Sequence, residues 1–171
     1  ALEIVDLFDR TKAEVSAEDE VVGSINIAAG ETPVIRFLAR AIRRFHDLAP
    51  KVQCNVVSGS ELEISSGLRN GTTDIGIFIG TVDLSDYDYI KLPQKDIWGL
   101  LTPINGPLAE KEFITVKDIV KVPLLCSRQA VNNNEFNGWL GQAAGELNIV
   151  GTFNLIYNAA LLAEEGFGHV L

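Results

Sequence analysis

Methionine is absent from the 171-residue chain, cysteine and histidine occur twice each, and 14 Lys and Arg face 23 Asp and Glu. Two cysteines are too few for a disulfide scaffold, which uses many more in a short chain. Cys54 and Cys126 also lack metal-ligand spacing, so both read as buried free thiols in a reducing compartment. His46 and His169 lie far apart in the sequence, and neither stands in a motif that would pair it with a nucleophile. The chain carries no G-x-S-x-G elbow, Walker loop, H-E-x-x-H or G-x-G-x-x-G, which argues against the chemistries those motifs serve. No apolar stretch approaches the ~20 residues that cross a bilayer. The acidic, amphipathic start lacks the basic residues and apolar core of a secretory signal. These absences describe a chain with no evident catalytic residue, metal site or cofactor, expected in the cytoplasm. A net charge of −9 also lacks what a nucleic-acid binder needs, a basic face. The single basic cluster, Arg36, Arg40, Arg43 and Arg44, falls on one expected helix, as a solvated face or a partner surface.

What is present is a chain 47% hydrophobic, enough for one or two small domains with real cores. Leu2, Val5, Leu7, Phe8 and Val15 have roughly helical spacing, so residues 1–16 read as the end of a helix and "SAEDE" as a linker. With no methionine even at position 1, this start reads as part of a longer protein. "VVGSINIAA" reads as a strand. The helix that follows is expected to be capped by Thr32, with Pro33 in its first turn and one apolar face from Val34, Phe37, Leu38, Ala41, Ile42 and Phe45. "VQCNVVSG" is a second strand, then a helix with a Ser60/Glu63 capping box and Gly71 at its end. Asp74 opens Ile75-Gly76-Ile77-Phe78-Ile79, a run too apolar to alternate, which reads as a strand buried on both faces of a parallel sheet.

This β-α-β-α-β order is doubly wound. The second half repeats it less regularly. One or two strands are expected around Pro93, a short helix in "GPLAEKEFITVKDIVK" and a strand in "VPLLCSR". "NNNEFNGWLGQAAGEL" reads as a helix capped by an asparagine, "NIVGTFNLI" as a strand, "YNAALLAEEGFG" as a helix and "HVL" as a strand. The expectation is an α/β chain of two Rossmann-like lobes. Residues 1–19 would be a linker, 20–94 a first lobe and 95–171 a second.

Parallel lobes gather their strand-to-helix turns at one edge, where free backbone N–H groups and helix dipoles favour a small anion or polar molecule. Two lobes facing each other this way would form a cleft. The candidate binding residues are Gly30, Glu31, Thr32, Ser58 and Ser60 in the first lobe, and Ser127, Arg128, Tyr157 and Asn158 in the second. Arg128 offers a bidentate contact to a carboxylate, and Tyr157 an apolar face with a polar tip.

Residues 21–80 resemble the first half of the effector-binding domain of a LysR-type transcriptional regulator. The pattern is a helix ending in "F…AP", a strand leading to "SGS", and then "L-x-x-G-x-x-D-I-G-I". "WGLLTPINGPLAEKEFITVKDI" resembles that family's passage into its second lobe, and "NLIYNAALLAEEGFGHVL" its late helix with the A-x-E-G-x-G turn. The resemblance implies a fold like type 2 periplasmic binding proteins and a bacterial cytoplasmic sensor holding a small effector between its lobes. It implies DNA contact through a winged helix-turn-helix that these residues do not include, and a return to the first lobe after Leu171. It further implies a homodimer or homotetramer, the helix of Arg36, Arg40 and Arg43 packing against the helix of Glu135, Phe136 and Trp139 of another copy. A solute-binding protein for transport is the alternative. An enzyme on the same fold, such as a prephenate dehydratase-like lyase, would call for a Thr-Arg-Phe motif. The nearest string here is Ile35-Arg36-Phe37.

Overall fold

The computed structural model describes residues 21–171; the helix and linker expected before them lie outside the described residues. The chain divides into two compact units. One comprises residues up to Ile79 with Ile90–Asp96, and the other Gly80–Tyr89 with Ile97–Leu171.

The first unit is built on a three-stranded parallel sheet. Strand β1 (Gly23–Ala29) lies between β2 (Val52–Ser58) and β3 (Ile75–Ile77). Ile27, Ala28 and Ala29 are buried, as expected of the central strand. Parallel pairing requires crossovers, supplied by helices α1 (Ile35–Leu48) and α2 (Glu61–Asn70). Helix α2 packs Ile64, 1% exposed, and Gly67 inward. The Ser60 N–H donates to the Glu63 carboxylate at 2.7 Å and the Ser60 side chain accepts the Glu63 N–H, as the capping box requires, while the Ser60 hydroxyl also donates to that carboxylate at 2.7 Å. Gly71 closes α2 at φ 75°, a conformation that costs glycine nothing. Helix α1 has the expected amphipathic spacing, but none of its residues is fully buried, and Leu48 is 84% exposed.

Two expectations here are corrected. The run at Asp74 yields a strand of only three residues, and Ile75 is 46% exposed. Its position explains this, because β3 is an outer strand of its sheet. Thr32 does not cap α1 directly, since Val34 occupies the cap position. Thr32 instead forms the turn before it: its carbonyl accepts the Ile35 N–H at 3.1 Å and its hydroxyl the Val34 N–H at 3.1 Å.

The second unit repeats the topology. Strand β4 (Leu124–Ser127) lies between β5 (Ile149–Phe153) and β6 (His169–Val170), all parallel. Successive residues of β4 point to opposite faces. Leu124 and Cys126, both 0% exposed, join Ile119, Ala130, Phe136, Leu140 and Leu171, while Leu125 packs with Ala159, Ala163 and Val170. The strand buried on both faces is therefore β4. Around it lie α3 (Val116–Ile119), α4 (Arg128–Asn132), α5 (Asn137–Leu140) and α6 (Ile156–Glu164).

The strands expected around Pro93 reduce to a bridge between Leu101 and Val170. The single helix expected over Asn132–Leu147 is broken into α4, α5 and a 3-10 turn at Gly141–Glu146. The breaks follow the backbone: Asn134 adopts φ 53° and Gly141 φ 57°, both outside helical geometry. The cap is Ser127, whose hydroxyl accepts the Ala130 N–H at 3.5 Å, and no asparagine serves. Phe136 is 4% exposed in the core, so it is not available for the intermolecular contact expected of it. Trp139 stays 41% exposed and stacks on Trp98, ring centroids 6.0 Å apart.

Candidate functional site

In the first unit, β1 and β2 run in register from Gly23 and Val52 to Ala29 and Ser58, with Ile77 of β3 also opposite Ala29. All three strands therefore end at the same edge. Gly30, Glu31 and Thr32 leave β1 there, and Ser58 ends β2 just before Ser60. The sheet continues one residue further through backbone bonds, Gly30 N–H to Ile77 at 3.1 Å and Gly59 N–H to Ala29 at 3.0 Å. A Cβ on Gly30 would stand 2.5 Å from the Ile79 Cδ1, so the tight exit from β1 favours glycine. Glu31 and Ser58 are exposed, and Thr32 and Ser60 half-buried.

Hydrogen bonding at this edge is already committed. The Thr32 hydroxyl donates to the Asp96 carboxylate, with its oxygens at 2.6 and 2.7 Å. The Ser60 N–H and then its hydroxyl donate to Glu63, and those bonds hold the Glu63 carboxyl below its usual range. Asp96 is a residue that pattern reading missed. It lies 64 positions from Thr32 in a segment with no periodicity, so only the tertiary fold pairs them. Asn26 and Asp74 were missed as well. The Asn26 N–H donates to Asp74 at 2.8 Å, and the Asn26 side chain accepts from Asn55 at 2.8 Å.

A cavity of about 510 Å³ lies in this unit, with Asn26, Ser58, Gly59, Glu63, Ser66 and Thr73 in its wall. It reaches Ser58 but neither Thr32 nor Ser60, so it is centred on the flank of α2 rather than on the candidate edge.

In the second unit, Ser127 lies opposite Phe153, so β4 and β5 also end together. Ser127 and exposed Arg128 start α4. Tyr157, 69% exposed, and exposed Asn158 follow β5. Asn158 does not begin its helix: α6 starts at Ile156, which makes Asn158 its third residue. The turn before it belongs to Asn154, whose side chain accepts the Leu155 N–H at 3.0 Å. Each unit thus gathers its own candidates at one sheet edge. At the opposite end of this sheet, where His169 pairs with Leu124, His169 Nδ1 lies 2.9 Å from the Thr102 hydroxyl, and burial lowers its pKa from 6.5. Burial raises the Cys126 thiol to about 11. Among the described residues, no group of three or more His, Cys, Asp or Glu could hold a metal ion.

The model of the family described as LysR substrate binding domain matches residues 18–171. The HTH-type transcriptional regulator cbl of Escherichia coli (strain K12) is 30% identical over 115 residues, covering 66% of this chain and 36% of that protein. The crystal structure of the cofactor-binding domain of the Cbl transcriptional regulator aligns with a TM-score of 0.64 at 26% identity, covering 91% of this chain and 69% of that one. The effector binding domain of QuiR in complex with shikimate aligns with a TM-score of 0.70 at 14% identity, covering 87% and 72%, a likeness of fold alone. The chain spans between 35 and 39% of the length of the curated relatives it matches first. These likenesses bear out the expected fold class, that of effector-binding domains with two α/β lobes.

Proposed function

The chain belongs to the LysR substrate-binding-domain family, and from that premise we propose that it senses a small effector on behalf of a transcriptional regulator. The observation that carries the reading is the family match across residues 18–171. The effector is a small anionic or polar molecule taken at the carboxyl edges of the two parallel sheets. Gly30, Glu31, Thr32, Ser58 and Ser60 serve one edge, and Ser127, Arg128, Tyr157 and Asn158 the other. Backbone N–H groups at the helix starts orient its oxygens, and Arg128 meets a carboxylate if the ligand has one. Differential contact with two arrangements of the protein converts binding into a signal.

DNA contact belongs, in this reading, to a winged helix-turn-helix outside these residues, and a cytoplasmic location goes with it. No helix among the described residues is long and apolar enough to cross a membrane. The partner in assembly is a second copy, through the partly exposed face of α1 and its arginines. The relatives are transcriptional regulators, which favours neither the transport alternative nor a catalytic role. Ile35-Arg36-Phe37 lies inside α1, as expected.

A thermal-shift screen of sulfate, shikimate and small carboxylates and amino acids tests the proposal. A ligand that binds only the folded chain stabilises it by RT ln(1 + [L]/Kd), about 2.7 kcal/mol at a hundredfold excess. For a chain of this size that raises the melting temperature by about 5 to 10 °C. A melting temperature that no member of such a screen moves would contradict the proposal.

A further inference from the structure

We infer that Asp96 determines specificity at the first-unit edge, guarding the Thr32 hydroxyl against bare anions and favouring a ligand group that donates hydrogen bonds. The inference rests on the proposed function and deepens it.

A threonine hydroxyl has one proton to donate and two lone pairs. The Thr32 proton is taken by Asp96, whose oxygens both stand within hydrogen-bond range, at 2.6 and 2.7 Å. One lone pair of the same oxygen receives the Val34 N–H at 3.1 Å. What remains is an acceptor. A sulfate, or a carboxylate without donors, would find no proton at Thr32 and would stand beside the Asp96 charge, which opposes it by Coulomb repulsion. An ammonium or hydroxyl group finds two acceptors there, the free lone pair and the carboxylate. Ser60 follows the same rule, its hydroxyl being held by Glu63. That pair is a helix cap with a structural purpose of its own. Asp96 caps neither α1 nor α2. It joins the exit of β1 to the stretch Ile90–Asp96, the part of the first unit that comes after residue 79, so a ligand displacing it would also free that segment.

Calorimetric titration of the 171-residue chain with sulfate tests this. Asp96→Asn keeps the size of the side chain, removes the charge and can turn its amide N–H to the remaining lone pair of the Thr32 oxygen, which frees the hydroxyl proton for sulfate. The expected result is sulfate binding at least about tenfold tighter in Asp96→Asn than in the parent, with the gain lost in Thr32→Val/Asp96→Asn. Asp88→Asn, which removes the same charge from an exposed position in the other unit, changes sulfate affinity less than twofold. Asp96→Ser repeats the test should Asn disturb folding. Sulfate binding no tighter in Asp96→Asn and Asp96→Ser, or a gain that survives loss of the Thr32 hydroxyl, overturns the role of Asp96. An absence of sulfate binding in every variant overturns it as well. The wider reading is judged separately, by whether any small molecule stabilises the parent.

Discussion

Cys126 and His169 belong to the same sheet, β4 and β6, and burial acts on them in opposite senses. The Cys126 side chain is 0% exposed, and removing its thiolate from water raises the pKa to about 11. The reactive species is the thiolate, so iodoacetamide under native conditions should modify Cys54 and leave Cys126 intact; mass spectrometry reads the difference. Labelling of Cys126 at the rate of Cys54 would mean that β4 is not the closed centre of its unit. For His169, burial disfavours the cation and lowers the pKa from 6.5. The unfolded chain then binds more protons than the folded one below pH ~6.5. The stability contributed by neutral His169 is fully present above that value and is lost as pH falls towards the depressed folded pKa. Urea midpoints measured from pH 7.5 to 5 should decline in the parent, and the decline should be shallower in His169→Gln.

Among elements, glycine positions separate tight contacts from open ones. A Cβ on Gly76 in β3 would lie 2.8 Å from both Ile64 Cγ2 and Leu68 Cδ1. Ile64 is 1% exposed and cannot swing away, so Gly76→Ala should cost about 1–3 kcal/mol by overpacking. Gly138 in α5 would meet nothing within 4 Å, so Gly138→Ala should be neutral or stabilise by up to about 1 kcal/mol. Denaturant unfolding of the two variants tests the contrast, and equal effects would contradict it. The same elements show what a sequence pattern can carry. The Ser60/Glu63 box and the Gly71 cap were legible because each is a local hydrogen-bond or dihedral requirement. The apolar run at Asp74 was legible as a strand but not in its burial, because edge or centre depends on strand order. The break between α4 and α5 was hidden: Asn134 at φ 53° is a residue type that tolerates helix and left-handed turn alike.

At the scale of the molecule, the two units repeat one topology, a central strand flanked by the strands that follow it in sequence, β2-β1-β3 and β5-β4-β6. Turn residues at the carboxyl edges could be assigned from strand-then-helix order, which is why Thr32, Ser58, Ser60 and Ser127 fall at those ends. Asp96 could not, because its link to Thr32 spans 64 residues. The central claim is that these edges take the effector. The most direct measurement is the calorimetric affinity of a small molecule found in the thermal screen, compared among the parent, Thr32→Ala, Ser60→Ala and Arg128→Ala, each checked for folding by circular dichroism. Loss of a hydrogen-bonding group should weaken binding about 5- to 30-fold for each variant, at ~1–2 kcal/mol, with Arg128→Ala the most damaging for a carboxylate ligand. Affinities equal to the parent's in all three would place the effector elsewhere and contradict the account.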